Sequence, residues 1–510
     1  MDDESAPMIV RTLQATALAL LLVIAAPSLL DAHVGSPDVI FDGKAGPYDV
    51  RVIVRVPMVV PGLADVAVRV LNADARRVLI RPVFWRAGVA GSPSPDAAKP
   101  VAGATRMYAG QLWLMARGAY SVYVTVEGAA GTGTVTVPVM SVATGRLRMS
   151  TGLGVLLGAL GVLLAAGLIT IVYAGAGESV VAAGQSIDAK RQRRARTIAI
   201  IATPVVALAI FGGAKWWSNV DRLYQMRMYR PLATHASIAR QADRSILLFE
   251  VVDSTGHALT LDPIVPDHGK LMHLFMIDSA TMTSFAHLHP VFDETAMFST
   301  TLPPLPPGRY RLFGDVTFET GQARTLTGSV TVTRDDSLLA SSARIDADDG
   351  WINAAGVERR GGSSTVDTLA DGSTMEWLAD ANPIRAGTEA TLRFRVLDRG
   401  GAVASLEPYL GMPAHAVVAR TDGSVFIHLH TAGTISFAAQ QVFALRDRGD
   451  TTAKGRLRLP SDSMPHAMPM TGEFSFPYIF PHAGSYRIWV QVRHGGRVLT
   501  GVFDVAILSS

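Results

Sequence analysis

The chain has 510 residues, 49% of them hydrophobic, with 47 glycines, a formal net charge of +3 and no cysteine. That length exceeds one ordinary domain, and basic residues dispersed apart from one short run argue against a nucleic-acid binder. The lack of thiols excludes disulfides, thiolate catalysis, Cys-type zinc sites and the blue-copper centre.

Residues 1–32 read as a signal peptide. Ala15 to Ala26 form an apolar run, and Leu30-Asp-Ala32 places a small residue at a cleavage point. Asp2, Asp3 and Glu4 do not suit the start of such a segment, whereas Met8-Ile-Val-Arg11 does, so a start at Met8 is expected. Cleavage after Ala32 would leave His33 first, offering its imidazole and α-amine to one metal ion.

Residues 33–147 alternate apolar and polar side chains over Tyr48 to Arg55, Ala64 to Val70 and Ala119 to Val126, with Gly and Pro turns between. This pattern predicts an all-β sandwich. Residues 148–217 predict a transmembrane helical hairpin. Thr151 to Gly177 and Thr197 to Ala214 are apolar, the second with Pro204 inside it and Trp216-Trp217 at its end. The run Lys190 to Arg196 holds five positive charges and reads as a cytoplasmic loop. Gly154, Gly158 and Gly161 would let the helices approach closely. Both flanking parts then lie outside the cytoplasm, anchored at the cell membrane.

From residue 236 the chain repeats itself. Phe249 to Gly256 matches Phe394 to Gly401, and Pro266-Asp-His-Gly269 ahead of His273 matches Pro408-Tyr-Leu-Gly411 ahead of His415. His287-Leu-His289 follows His273 by 14 residues, and His428-Leu-His430 follows His415 by 13. Both copies close on a hairpin, Gly308-Arg-Tyr310 and Gly484-Ser-Tyr486, and Gly118-Ala-Tyr120 opens a similar one in the first domain. Tyrosine at that place matches the tyrosine corner of Greek-key sandwiches. The expected fold is therefore mainly β, with three Ig-like or cupredoxin-like sandwiches (33–147, 236–335 and 377–510), a two-helix hairpin and a linker at 336–376. The second repeat is 35 residues longer between its last paired histidine and its closing hairpin.

Twelve of the 13 histidines follow residue 234, and six occupy matched positions. On a strand, residues two apart share a face, so each His-Leu-His presents two imidazoles side by side. Three converging imidazoles suit copper, zinc or nickel. The expected sites are His273, His287 and His289 in one repeat and His415, His428 and His430 in the other. His235, His257, His268, His482 and His494 read as surface residues, His268 being the best candidate among them for an auxiliary ligand. Met272, Met276 and Met412 lie near the sites and serve equally as core or as ligands. In the insertion, Met464, His466, Met468 and Met470 form a Pro-containing stretch, read as a loop that captures copper(I) through thioethers. The alternative for the paired histidines is structural, with hydrogen bonds to the backbone or to carboxylates such as Asp267 or Glu407.

On these residues the chain resembles bacterial extracytoplasmic copper-handling β-sandwich proteins of the CopC-like, YtkA-like and cupredoxin-like kinds. The resemblance rests on the two His-Leu-His repeats, the Met-Pro-His-Ala-Met-Pro-Met segment and His33. It implies copper binding, buffering or delivery outside the cytoplasmic face, with another envelope protein as a partner of the ion's traffic. The missing cysteine departs from electron-transfer cupredoxins. The expected function is that of a membrane-anchored metal binder, for copper with zinc as the alternative, and no enzyme motif stands out. An Ig-like interaction protein of the envelope without metal is the second reading, and a metalloenzyme with a three-histidine site the third.

Overall fold

The structure is a computed structural model and describes residues 33–34, 38–182, 184–241, 243–253, 255–259, 261–293, 297–340, 346–353, 365–450, 452, 456–458 and 470–510. The expected signal peptide, Met464, His466 and Met468 lie outside these residues. The described chain is mainly β, with several sheets and two long apolar helices.

Eight strands between Asp38 and Ser141 build the first sandwich. Its two halves join through the short strand Asp96–Pro100, which pairs with both Ala75–Phe84 and Met107–Leu114. Strand Gly62–Val70 shows why the segment folds so: Ala64, Val66, Val68 and Val70 point inward while Leu63 and Asp65 face water. The Tyr120 hydroxyl accepts the Ala116 N–H at 2.9 Å, which fixes the corner before the last hairpin.

The helices Thr151–Glu178 and Ala189–Met226 are about 42 and 57 Å long at 1.5 Å per residue. The basic run expected as a loop is instead helical. Asp188 caps the second helix by accepting the Arg191 N–H, so Lys190 to Arg196 form its first turns. The helices approach where Gly177 meets Ala195, not at the expected glycines: the Cα hydrogens of Gly158 and Gly161 face open space. Small residues permit close packing but do not compel it. At the base of the hairpin Arg146 pairs with Asp221 at 2.9 Å, and the Tyr229 N–H donates to the Ala143 carbonyl.

Each repeat is a sandwich with one large sheet. In the first repeat that sheet runs Ile264–Val265, Gly308–Phe318, His273–Asp278, Ser284–Leu288 and Gly350–Asn353, with Ala323–Val332 hairpinned onto Gly308–Phe318. In the second it runs His33–Val34, Val425–His430, His415–Arg420, Gly484–His494 and Arg497–Ile507. Tyr310 and Tyr486 donate to the carbonyls of Pro306 and His482 at 2.9 and 2.8 Å, making the same corner in both.

The two large sheets face each other, so each is buried on both sides. Leu274, Met276, Ala286 and Leu288 enter the first repeat's own core, whereas Phe275, Ile277 and Phe285 enter an inter-repeat core. Across the interface, Ala416, Val418, Ile427 and Leu429 stay in the second repeat's core while Val417, Ala419, Phe426 and Trp489 meet the first. Phe313 stacks on Phe426 at 4.0 Å and 3°, and Phe285 on Trp489 at 5.0 Å. Strict alternation thus explains His-Leu-His: the leucine fills a sandwich and the histidines face the other repeat.

The first sandwich leans on the second repeat. Arg51, buried, bonds Asp42 at 2.7 Å and Glu389 at 2.9 Å, and Ile40 and Ile53 join the second repeat's core. The insertion contains a helix, Phe437–Asp447, capped by Ser436. It fills the junction of all three sandwiches: Ala439 packs in the first, Val442 and Phe443 abut Gly321, and Arg446 bonds the Glu319 and Thr320 carbonyls.

Candidate metal centre

Seven histidines meet at one end of the inter-repeat interface: His268, His273, His287, His289, His415, His428 and His430. They are between 0 and 7% exposed. Burial, the largest cause in each case, lowers the pKa of His268, His273, His287, His415, His428 and His430, to about 4 for His268 and His430. Neutral imidazole is the form that ligates metal.

Two groups offer ligand atoms within 4.8 Å of one another. One is His273, His287 and His289; the other is His268, His415 and His430. The first is the expected set. The second takes His268 in place of His428, and His268 is buried rather than on the surface. His428 turns towards the first repeat, its Nδ1 3.4 Å from Asp315 Oδ2 and its ring 5.3 Å from His273 and 5.4 Å from His415. It therefore bridges the two groups.

Matched tight turns explain how His268 enters. Asp267–Lys270 and Tyr409–Met412 each close on paired backbone hydrogen bonds. Both carry positive φ at the two central residues, 52° and 80° in the first and 51° and 74° in the second, as a type I′ turn requires. The first turn supplies His268 where the second has Leu410, and Phe437 stacks on the His268 ring at 4.7 Å.

The outer nitrogens of the first group are held. His287 Nδ1 lies 2.8 Å from Gln491 Oε1, whose amide is oriented by Thr500, and 3.0 Å from the Tyr409 hydroxyl. That hydroxyl donates to the Asp348 carbonyl, so both contacts accept a proton from Nδ1. His289 Nδ1 is 3.0 Å from Asp349 Oδ1, and His273 Nε2 is 3.3 Å from the Asp267 carbonyl. All three acceptors assign the proton to the outer nitrogen. The inner lone pairs, on His273 Nδ1, His287 Nε2 and His289 Nε2, are left facing one another, the first two only 3.0 Å apart. The opposite tautomer of His273 would turn its lone pair on the Asp267 carbonyl instead. A cation between the nitrogens removes the conflict.

In the second group no ring nitrogen has a side-chain hydrogen-bond partner among the described residues, and only His430 is acted on by the backbone, at Ile435. Buried polar atoms in that state are costly without a ligand. Asp267 Oδ1 lies 3.8 Å from His268 Nε2 and accepts the Ala438 N–H at the start of the insertion helix.

The other expected ligands fall elsewhere. Met272 and Met276 are fully buried in the first repeat's core, and Met412 is half-buried in its turn with the Thr431 hydroxyl on its sulfur. Met470 pairs with Leu406. The backbone of His33 pairs with Val425, three residues before His428, about 10 Å along a strand. His235, His257 and His494 bond Glu250, Thr255 and Asp371 away from the cluster.

The sequence reading missed Asp315, Gln491, Tyr409, Asp348 and Asp349. For two of them a signal existed: Asp315 and Gln491 each lie seven residues after the matched glycines Gly308 and Gly484. Each sits opposite the first histidine of its repeat and serves a histidine of the other.

Residues 233–334 and 367–508, which hold the two repeats, match a family described as a domain of unknown function, DUF8832. No curated protein matches. Among solved structures the chain is similar to Escherichia coli alpha-2-macroglobulin at 8% identity and TM-score 0.18, over 88% of this chain but 21% of that one. It thus spans about a fifth of that relative's length. An ICAM-5 D1–D4 ectodomain aligns at 9% identity and TM-score 0.14, covering 88% and 74% of the two chains. The surface layer protein SbsC, domains 1–6, aligns at 9% and 0.13, covering 90% and 54%. Superposition at this level identifies neither a site nor a ligand.

Proposed function

We propose that this is a membrane-anchored protein that binds copper, before zinc, between its two repeats and buffers or delivers it outside the cytoplasm. The carrying observation is the set of three inner lone pairs on His273, His287 and His289, each imidazole held from behind by an acceptor. Such outer partners orient metal-bound histidines and fix their tautomers. Copper leads because it heads the affinity order for nitrogen donors, and a Met-Pro-His-Ala-Met-Pro-Met segment in the same chain suits its reduced form. Ligands so deeply buried leave no face for a substrate, which favours holding an ion over catalysis.

The anchor is the apolar helical pair. The basic turns at Lys190 to Arg196, beside the connection between the helices, favour placing that connection in the cytoplasm and the sandwiches opposite it.

The test is metal analysis of the full chain in detergent after exposure to copper and to zinc. The double variant His287→Ala, His289→Ala is expected to lose at least one bound ion. Equal metal content in wild type and variant would overturn the reading.

A further inference from the structure

We propose that His268, His415 and His430 form a second, unlike metal site, assembled across both sandwiches. This rests on the reading that the histidine cluster binds metal.

The two groups differ where they should match. In the first, every imidazole has an acceptor behind its outer nitrogen; in the second, no ring nitrogen has a side-chain hydrogen-bond partner among the described residues. The first group has the carboxylate of Asp349 from its own repeat, 3.0 Å from His289 Nδ1, and neutral partners, Tyr409 and Gln491, from the opposite one. At the position matching Tyr409 the second group meets Asp267, a buried carboxylate 3.8 Å from His268 Nε2. Its negative charge also acts on His430.

Each group thus has one carboxylate, but from different places: Asp349 lies in the first group's own repeat, whereas Asp267 reaches the second group from the facing repeat. The insertion helix holds Asp267 in place through the Ala438 N–H at 2.8 Å. A carboxylate beside neutral imidazoles favours a cation among them.

The ligands come from both sides of the interface. His268 belongs to the first repeat, and His415 and His430 to the second, so the site exists only while the sandwiches are packed. An ion bound there holds them together.

The experiment uses the full chain in detergent, stripped by chelator, then titrated with zinc(II) alone and, without oxygen, with copper(I). His268→Leu is the first variant, because the matching turn already carries Leu410 at φ 51° and folds. Asp267→Asn is the second. Wild type is expected to take two equivalents of zinc and His268→Leu one. Asp267→Asn should keep both but bind the second about 10- to 100-fold more weakly, with the first unchanged. Two equivalents in His268→Leu would overturn the proposal, as would equal weakening of both equivalents in Asp267→Asn. A wild type that takes one equivalent, lost in His289→Ala but kept in His268→Leu, would also overturn it. A wild type that takes no ion of either kind would instead fail the parent reading.

Discussion

The two repeats carry the same three histidines in the same register, yet they surround them differently. His287 of the first is gripped by Gln491 and Tyr409 of the second; His428 of the second reaches Asp315 of the first. One repeat contributes His268 from a tight turn and the other only Leu410 from the same turn. Matched histidine positions therefore do not make identical surroundings. What decides their chemistry is the set of groups received from the facing sheet.

The comparison breaks first if the sheets are separated. Phe426→Ala removes the ring stacked on Phe313 at the centre of the interface. It is expected to cost about 3–5 kcal/mol in urea unfolding. A loss near zero would mean that the faces do not hold the repeats together.

Acid should be the next largest perturbation. The buried histidines titrate lower in the folded state than when unfolded, so the unfolded chain binds more protons below about pH 6.5. The stability they contribute is then present above that value and lost as pH falls, towards about 4 for His268 and His430. Urea midpoints in chelator at pH 7 and pH 5 measure this; an unchanged midpoint would contradict neutral burial.

Asp349→Asn sharpens the contrast between the groups, since Asp349 serves His289 alone among the seven. Metal affinity at the first group should fall about 10- to 100-fold, with the second unaffected. The smallest change is expected from the corners. Tyr310→Phe and Tyr486→Phe each delete one hydrogen bond, worth about 0.5–1.5 kcal/mol, and equal losses would show that the two sandwiches are equivalent away from the metal.

Strands, corners and the side-by-side histidines were legible because they depend on local alternation and on repetition within one chain. The face that each strand presents was legible too, but not what lies opposite it. His428 and His268 could not be assigned from spacing, because their partners come from the facing repeat, more than 100 residues away: Asp315 for one, His415 and His430 for the other. The insertion helix was hidden differently. Ala438, Val442 and Leu445 have helical spacing and are buried, but the Pro- and Met-rich stretch that follows dominated the reading. The segment expected to be a linker also carries structure, since Gly350–Asn353 extends the first repeat's sheet and brings Asp349 to His289.

One consequence follows from both repeats lying on one chain. A homodimer built on the same face would be isologous, and every residue would appear twice, on both sides of the axis. Such a pair must present two identical sets of groups. Joining the halves through a single connector lifts that constraint, so Asp267 can stand opposite the place of Tyr409 and His268 opposite that of Leu410. Covalent linkage thus lets a twofold scaffold surround its two histidine sets with different groups, which no symmetric assembly of the same halves could do.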